Sequence, residues 1–290
     1  MKESLHRIVI AAMTVGVLGL ATSPAMAIVG GTDVPEGEHG NVAYITYPHN
    51  GTDFGPIFLC SGVLVAPQWV LTAGHCSSIT GGLGAKGTPA DWPASTYDVK
   101  LGSNQAGQGA SYSVSKVLHE PDYLLTTGSD VSLLQLAAPV VDIPATPVAG
   151  PGDKDLFTVG RLETVVGWGD TDAAASREAV TLQQVRLPIV ADQACASAWS
   201  DQQSSDPFWT GFDAKTMICA GFSHGTKSVC NGDSGGPMFG TLPNSTDQRV
   251  VGTASYAACG DPTHPGIFAR VGDDALRAWI ASVAPDAVKD

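Results

Sequence analysis

Charge is scarce in this sequence, and positive charge is scarcest. Only 15% of the 290 residues are charged, and 15 Lys and Arg stand against 28 Asp and Glu, so the net charge is −13. Nucleic acids and anionic membranes attract positively charged proteins, and this balance argues against both as partners. The apolar fraction of 43% is still high enough for most of the chain to be globular rather than disordered.

Long apolar runs are missing except at the start of the chain. Lys2 and Arg7 precede an apolar run at residues 8–20. After this run comes an Ala-Met-Ala sequence, ending at Ala27, of the kind that signal peptidase cuts. The run of about 13 residues is shorter than the ~20 that span a bilayer, which disfavours the alternative of a membrane anchor. We predict that residues 1–27 are a signal peptide and that the mature chain is secreted and soluble. Its net charge would be −14, because two basic residues and one acidic residue are removed.

Cysteine pairs of the zinc-binding type are also missing, since no C-x-x-C occurs. All six cysteines follow the predicted signal peptide. An even number of cysteines in an exported chain indicates disulfides. Six cysteines allow 15 pairings, so their number alone leaves the connectivity open.

Helical periodicity is scarce, and a strand-rich pattern takes its place. Only residues 273–283 repeat apolar side chains at three- and four-residue spacing, which predicts an amphipathic C-terminal helix. Elsewhere short apolar runs are bounded by turn residues, as expected for short strands. Strands are predicted at residues 63–65, 69–71, 131–136, 164–166, 185–190 and 250–251. The predicted fold class is therefore all-β, with two sheets or barrels and one terminal helix.

The connection between the two halves is predicted at residues 142–154, which are rich in Pro and Gly and poor in large apolar side chains. Surface loops are predicted at residues 81–87, 102–109 and 202–207.

Three segments carry residues that could act together in catalysis. They are Thr-Ala-Gly-His-Cys at 72–76, Ser-Asp-Val-Ser-Leu-Leu at 129–134 and Gly-Asp-Ser-Gly-Gly-Pro at 232–237. Taken singly, each has an ordinary explanation: a structural His after a strand, an Asp in a turn, a Ser in a glycine loop. Taken together, they supply His75, Asp130 and Ser234, the three groups of a nucleophilic serine mechanism.

A serine hydroxyl is a weak nucleophile at neutral pH unless an imidazole takes its proton and a buried carboxylate holds that imidazole. The reaction also needs donors for the oxyanion that forms on the attacked carbonyl. Glycines beside the nucleophile let backbone N–H groups approach that oxygen. We therefore expect the N–H groups of Gly232 and Ser234 to form the oxyanion hole.

With these motifs the sequence resembles the trypsin/chymotrypsin family of serine peptidases over residues 28–283. Supporting matches are Ile-Val-Gly-Gly at 28–31, Cys-Ser-Gly-Val-Leu at 60–64, Gly-Trp-Gly at 167–169, Leu-Pro-Ile at 187–189 and Pro-Gly-Ile-Phe-Ala-Arg-Val at 265–271. The resemblance implies two packed six-stranded antiparallel β-barrels with a C-terminal α-helix. The barrels would take up about 28–145 and 146–290 of a single peptidase domain at 28–290, with the catalytic cleft between them.

The resemblance also implies a cysteine connectivity. The pairs would be Cys60–Cys76, Cys195–Cys219 and Cys230–Cys259, with no cysteine left over. Each bridge would stabilise the fold by about 2–4 kcal/mol.

An activation step is implied as well. In the family a new N-terminus inserts into the protein, and its ammonium pairs with the acid before the nucleophile. Here these are Ile28 and Asp233. Unlike most members, this chain has no pro-segment between the predicted signal peptide and Ile28, so we expect signal peptidase itself to create the activating N-terminus.

The primary specificity pocket is implied to contain Ser228, Val229, Ser255, Tyr256, Ala257 and Gly266. Trypsin-like members have an Asp six residues before the nucleophile, where this chain has Ser228. A Lys or Arg side chain would therefore enter without a counter-charge, which is unfavourable. We expect cleavage after a medium to large apolar residue such as Leu, Met or Phe, although Asp261 near the rim could readmit a basic residue.

No cofactor or metal is expected. The loop that holds calcium in some relatives would lie at residues 102–113, which here contain no Asp or Glu ligands. The Asn-x-Ser/Thr sequences at 50–52 and 244–246 match the acceptor pattern for N-glycosylation. We interpret both matches as coincidental, because the composition resembles that of a bacterial protein. Expected partners are polypeptide substrates and a protein inhibitor, and we expect a monomer.

Two other functions compete with an active endopeptidase. A peptidase-like protein that only binds partners would usually have lost one of the three catalytic residues, which are all present here. An esterase acting on small esters would share the same catalytic groups, but the motif context favours peptides.

Overall fold

The computed structural model describes residues 28–47, 57–77, 93–123, 128–172, 175–200, 211–223 and 227–289. The predicted signal peptide, the glycosylation acceptor pattern at 50–52 and the predicted loops at 81–87 and 202–207 lie outside these residues.

Strands dominate the described residues. They are β1 (Thr32–Asp33), β2 (Val42–Tyr47), β3 (Ile57–Ala66), β4 (Trp69–Thr72), β5 (Asp98–Leu101), β6 (Ala110–His119), β7 (Ser132–Leu136), β8 (Leu162–Gly167), β9 (Asp170–Asp172), β10 (Ala175–Glu178), β11 (Gln183–Val190), β12 (Met217–Ala220), β13 (Pro237–Thr241), β14 (Gln248–Tyr256) and β15 (Gly266–Ala269).

Two antiparallel barrels confirm the predicted fold class. The first is closed in the order β2-β3-β4-β7-β6-β5. The second runs β11-β12-β15-β14-β13-β8, and the pairing of β11 with β8 closes it, while β1 adds to β11 from outside. A small β9–β10 hairpin follows β8.

The two barrels pack through a shared apolar layer. In β3, Val63 and Val65 belong to this layer, whereas Leu64 points into the first barrel. Successive side chains of a strand point to opposite faces, so β3 is buried on both sides, as its unbroken apolar run suggests. From the second barrel, Val166 and Phe239 pack against the same layer.

The C-terminal helix α2 (Asp274–Val283) confirms the predicted amphipathic helix. Asp273 caps it by accepting a hydrogen bond from the Asp274 N–H. Leu276 and Ile280 join the layer between the barrels. None of the helices in the described part of the chain has the length and apolarity needed to cross a membrane.

A second α-helix, α1 (Asp192–Ala198), was not predicted. Its seven residues make two turns and present a single buried side chain, Cys195, so the sequence shows no apolar periodicity there. Tertiary contacts hold it instead: Cys195 is bonded to Cys219 of β12, and Trp199 packs beside it.

Three disulfides are present, and they join the pairs that the family resemblance implies. Cys60–Cys76 links β3 to the turn that carries His75. Cys195–Cys219 ties α1 to the second barrel, and Cys230–Cys259 joins the two segments on either side of the candidate site.

Candidate active site

His75 and Asp130 meet because their strands are neighbours. His75 lies in a 3₁₀ turn directly after β4, and Asp130 lies two residues before β7. These strands pair antiparallel with Thr72 opposite Ser132, so the end of one meets the start of the other. The Asp130 carboxylate lies 2.8 Å from His75 Nδ1 and accepts a hydrogen bond of 2.9 Å from the His75 N–H.

Asp130 is a buried carboxylate with three polar partners. Besides the two bonds to His75, it accepts a 2.5 Å hydrogen bond from the Ser255 hydroxyl of β14, in the second barrel. Burial by itself raises the pKa of Asp130. The attraction of His75 and the hydrogen bonds from His75 and Ser255 outweigh burial, so the pKa lies below its ordinary value and the group is ionised.

The loop at residues 231–234 has all four of its carbonyls bound. The Asn231 carbonyl accepts from the Asp170 N–H at 2.7 Å, and the Asp233 carbonyl from the Gly236 N–H at 2.8 Å. The Gly232 and Ser234 carbonyls accept from the hydroxyl and the N–H of one residue of β3, Ser61, at 3.0 and 2.9 Å.

The N–H groups of Gly232 and Ser234 are left for a ligand. Neither donates a hydrogen bond to another described residue. In a trans peptide the C=O and N–H point in opposite directions, so binding the Asn231 and Asp233 carbonyls on the protein side turns both N–H groups away from it. Unpaired donors of this kind fit a developing oxyanion.

Two glycines let the barrels approach each other beside Ser234. Gly235 has a φ of +76°, and a Cβ there would collide with Thr72 and Ser61 of the first barrel. A Cβ on Gly236 would lie 2.7 Å from the carbonyl oxygens of Asp233 and Val166 in its own barrel and 3.3 Å from Ser61 Cβ in the first barrel. The Gly-Gly pair after the serine is thus needed sterically.

Asp233 is buried and has no ion-pair partner among the described residues. Its carboxylate accepts hydrogen bonds from the Gly169 and Cys230 N–H groups, at 2.9 and 2.8 Å. Burial raises its pKa to about 7, although those two hydrogen bonds lower it. Ile28 is fully buried, and the Val29 carbonyl accepts from the Ser228 N–H at 3.1 Å.

A cavity of about 250 Å³ opens at this point. Its lining includes residues from both barrels: His75, Val229, Cys230, Asn231, Ser234, Ala254, Ser255, Tyr256 and Ala257. His75 and Ser234 therefore face the same space. The structure does not place Ser228 or Gly266 among the lining residues.

Comparison with known proteins decides the family. A sequence model described as Trypsin matches residues 28–280. The chain is 31% identical over 247 residues to "Trypsin" of Saccharopolyspora erythraea, covering 84% of this chain and 93% of that protein. It is 31% identical over 261 residues to "Trypsin 5G1" of Aedes aegypti (89% and 85% covered) and 32% identical over 273 residues to "Trypsin" of Phaedon cochleariae (90% and 90%). The chain belongs to the trypsin family. It is a serine-type endopeptidase, a hydrolase that acts on polypeptides.

Two residues of the predicted specificity pocket of this trypsin-family enzyme, Ser228 and Gly266, are not among the residues that line the cavity. Ser228 is buried, and its hydroxyl accepts a 2.8 Å hydrogen bond from the Gly260 N–H. Gly266 lies next to Val229, since a Cβ on it would be 3.0 Å from Val229 Cγ2. Val229 itself lines the cavity.

Asp261, the acid expected near the rim, is held within its own turn. Its carboxylate accepts from the Thr263 N–H at 2.7 Å and lies 2.9 Å from His264 Nδ1. Hydrogen bonds from Thr263, together with His264, lower its pKa to about 2. His264 in turn packs on Trp199.

Asn231 and Ala254 line the cavity but were not predicted. Each stands next to a residue that was, since Asn231 precedes Gly232 and Ala254 precedes Ser255. A search one residue beyond each motif would have found them. The ligand atoms of Cys60, His75 and Cys76 lie within 4.8 Å of one another, but the two sulfurs are bonded to each other and offer no thiolate to a metal.

The raised pKa of Asp233 predicts a pH-dependent stability for the chain that retains residues 1–27. The unfolded carboxyl loses its proton near 3.8, whereas the folded one keeps it up to about 7. Protonation of Asp233 then favours the folded state between these values, so the stability that this group contributes is fully present below about pH 4 and is lost as the pH rises toward 7. The expected slope is about 1.4 kcal/mol per pH unit from this group.

Urea unfolding at a series of pH values measures this slope. The Asp233→Asn variant is the matched control, because it keeps the shape of the side chain and cannot ionise. The difference in slope between the two proteins isolates Asp233 from other acids. Equal slopes would contradict the prediction.

Proposed function

We propose that this enzyme is a secreted endopeptidase that works through a Ser234–His75–Asp130 triad and an acyl-enzyme intermediate. The observation that carries the proposal is the buried Asp130 carboxylate, bonded twice to His75, which faces the same cavity as Ser234. Polypeptides are the substrates. A protein inhibitor is an expected partner, and the monomer is the expected state.

The chemistry follows from these positions. His75 takes the proton of the Ser234 hydroxyl as its oxygen attacks the peptide carbonyl, and Asp130 stabilises the imidazolium that forms. The oxyanion binds the free N–H groups of Gly232 and Ser234. His75 then gives the proton to the leaving amine, and water hydrolyses the acyl-enzyme by the same steps in reverse.

Activation is proposed to depend on a charge pair between the Ile28 ammonium and Asp233. A buried carboxylate with a raised pKa is unfavourable at neutral pH and is stabilised by a cation. Ile28 is already buried, and its neighbour Val29 is bonded to Ser228 in the pocket region. Cleavage after Ala27 would create that cation, so signal peptidase would release an active enzyme with no stored precursor.

The specificity pocket is proposed to take a medium to large apolar side chain. The side chains of Val229, Ala254 and Ala257 contribute apolar surface to the cavity, and no carboxylate is among its lining residues. Tyr256 lines the cavity as well, and Ser228 and Gly266 lie next to Val229. A Lys or Arg side chain would lose its water without gaining a counter-charge.

Covalent labelling tests the triad. A fluorophosphonate is expected to label the wild-type enzyme and not the Ser234→Ala variant, and peptide hydrolysis should fall by at least about 10⁴-fold in that variant. The Ser245→Ala variant, altered at an exposed turn, is the matched control and should label normally. A wild-type protein that binds peptides but is neither labelled nor hydrolytic would favour the binding-only function.

N-terminal sequencing of the secreted protein tests the activation step. The expected first residue is Ile28. A protein produced to begin at Ala27 should label more slowly with the fluorophosphonate, because its ammonium lies one residue too far out. A natural start elsewhere, or equal labelling of the two proteins, would contradict the proposal.

A panel of chromogenic peptides differing at the residue before the cut tests the pocket. We expect the highest kcat/KM for Leu, Met or Phe. Because Val229 meets the cavity, Val229→Ala should shift the preference toward larger aromatic residues by about tenfold. A wild-type preference for Arg would overturn this assignment.

A further inference from the structure

We propose that Ser61 is a positioning residue that holds the 231–234 loop in its oxyanion-binding shape from the opposite barrel. This inference rests on the proposed function, since it concerns how the Gly232 and Ser234 donors are kept in place. Ser61 lies in β3 of the first barrel, 171 residues away from Gly232 in sequence.

Every polar atom of Ser61 has a partner, although the residue is fully buried. Its hydroxyl donates to the Gly232 carbonyl at 3.0 Å and accepts from the Trp168 N–H at 3.1 Å. Its own N–H donates to the Ser234 carbonyl at 2.9 Å, and its carbonyl accepts from the Thr72 hydroxyl at 2.8 Å. The side chain thus contacts two segments of the second barrel, the 231–234 loop and the segment that follows β8.

Gly232 needs such an anchor because it is a glycine with a φ of +88°. The peptide before it is held through the Asn231 carbonyl by Asp170. Glycine resists rotation of the peptide after it least of all residues, so that peptide depends on its hydrogen bonds. The Asp233 N–H donates to the Cys230 carbonyl at 3.1 Å, and the Ser61 hydroxyl binds the other end, the Gly232 carbonyl.

Loss of the hydroxyl would leave two groups unpaired, the partly buried Gly232 carbonyl and the buried Trp168 N–H. Buried backbone groups without partners are strongly disfavoured, so the loop would rotate to find a new partner or admit water. The rotated Gly232–Asp233 peptide lies between the Gly232 and Ser234 N–H groups, so either change alters the direction of these two donors relative to each other. Ground-state binding in the cavity would be affected much less, because Ser61 does not line it.

Ser61 also connects this loop to the barrel that carries His75. β3 pairs with β4, and His75 follows β4 by three residues. Thr72, the last residue of β4, donates to the Ser61 carbonyl. Ser61 therefore links the nucleophile loop directly to the strand that leads to the proposed base.

The test compares Ser61→Ala and Ser61→Gly with wild type, all beginning at Ile28. Both variants lack the hydroxyl and keep the N–H that binds Ser234. We expect kcat to fall by about 10-fold or more, less than the loss on deleting a direct oxyanion donor, with KM within about twofold. The affinity of a peptide aldehyde, whose adduct places an oxyanion in the site, should fall by the same factor.

Two further measurements separate positioning from mere loss of structure. Active-site titration corrects kcat for misfolded enzyme. Amide hydrogen exchange at Trp168 should be faster in both variants, because its acceptor is gone. The matched control is Thr46→Val, which removes a buried hydroxyl of β2 that has no partner among the described residues and should change none of these quantities.

Unchanged kcat per titrated site, or an equal loss in Thr46→Val, would overturn the positioning role. A fall in kcat with unchanged aldehyde affinity would overturn it too. If the wild-type enzyme fails to react with the fluorophosphonate, the proposed function fails instead. Trp168 exchange then still decides whether Ser61 holds the loop, and unchanged exchange would end the inference on its own.

Discussion

The active site depends on how closely the two barrels approach at Gly235 and Gly236. No side chain separates β3 and β4 from the loop that follows Ser234, and a Cβ at either glycine would meet atoms at less than van der Waals distance. This approach puts Ser61 within hydrogen-bond reach of Gly232. It also puts His75 and Ser234, which belong to different barrels, on the wall of one cavity.

Two buried carboxylates, Asp130 and Asp233, lie close to that contact, and they differ in the groups that surround them. Asp130 has a basic partner in His75 and a hydroxyl donor in Ser255, so its pKa is lowered despite burial. Asp233 has only backbone donors, and its pKa is raised to about 7. This difference agrees with the roles proposed for the two acids, Asp130 as the partner of His75 and Asp233 as the partner of the Ile28 ammonium.

Residues that lie within a short motif or a periodic segment could be predicted from the sequence. His75 and Asp130 follow from short segments next to apolar strands, and α2 follows from its periodicity. The helix α1 could not be predicted, because it is two turns long and is held by a disulfide and by Trp199. The direction of the Ser228 side chain could not be predicted from the sequence either. Its place six residues before Ser234 is visible in the sequence, but its bond to Gly260 depends on how the 260–264 turn folds back.

The sequence by itself determined the all-β class, the terminal helix, the family and the set of candidate reactive side chains. Each of these depends on the local spacing of residues or on a short motif. Only the tertiary structure decided which of these side chains meet. Hydrogen bonds such as Ser61 to Gly232 and Ser255 to Asp130 join residues 171 and 125 positions apart. No local pattern encodes such bonds, since they exist only after both barrels have closed and packed. The same is true of the place of Val229 in the cavity lining and of the burial of Asp233 among backbone donors.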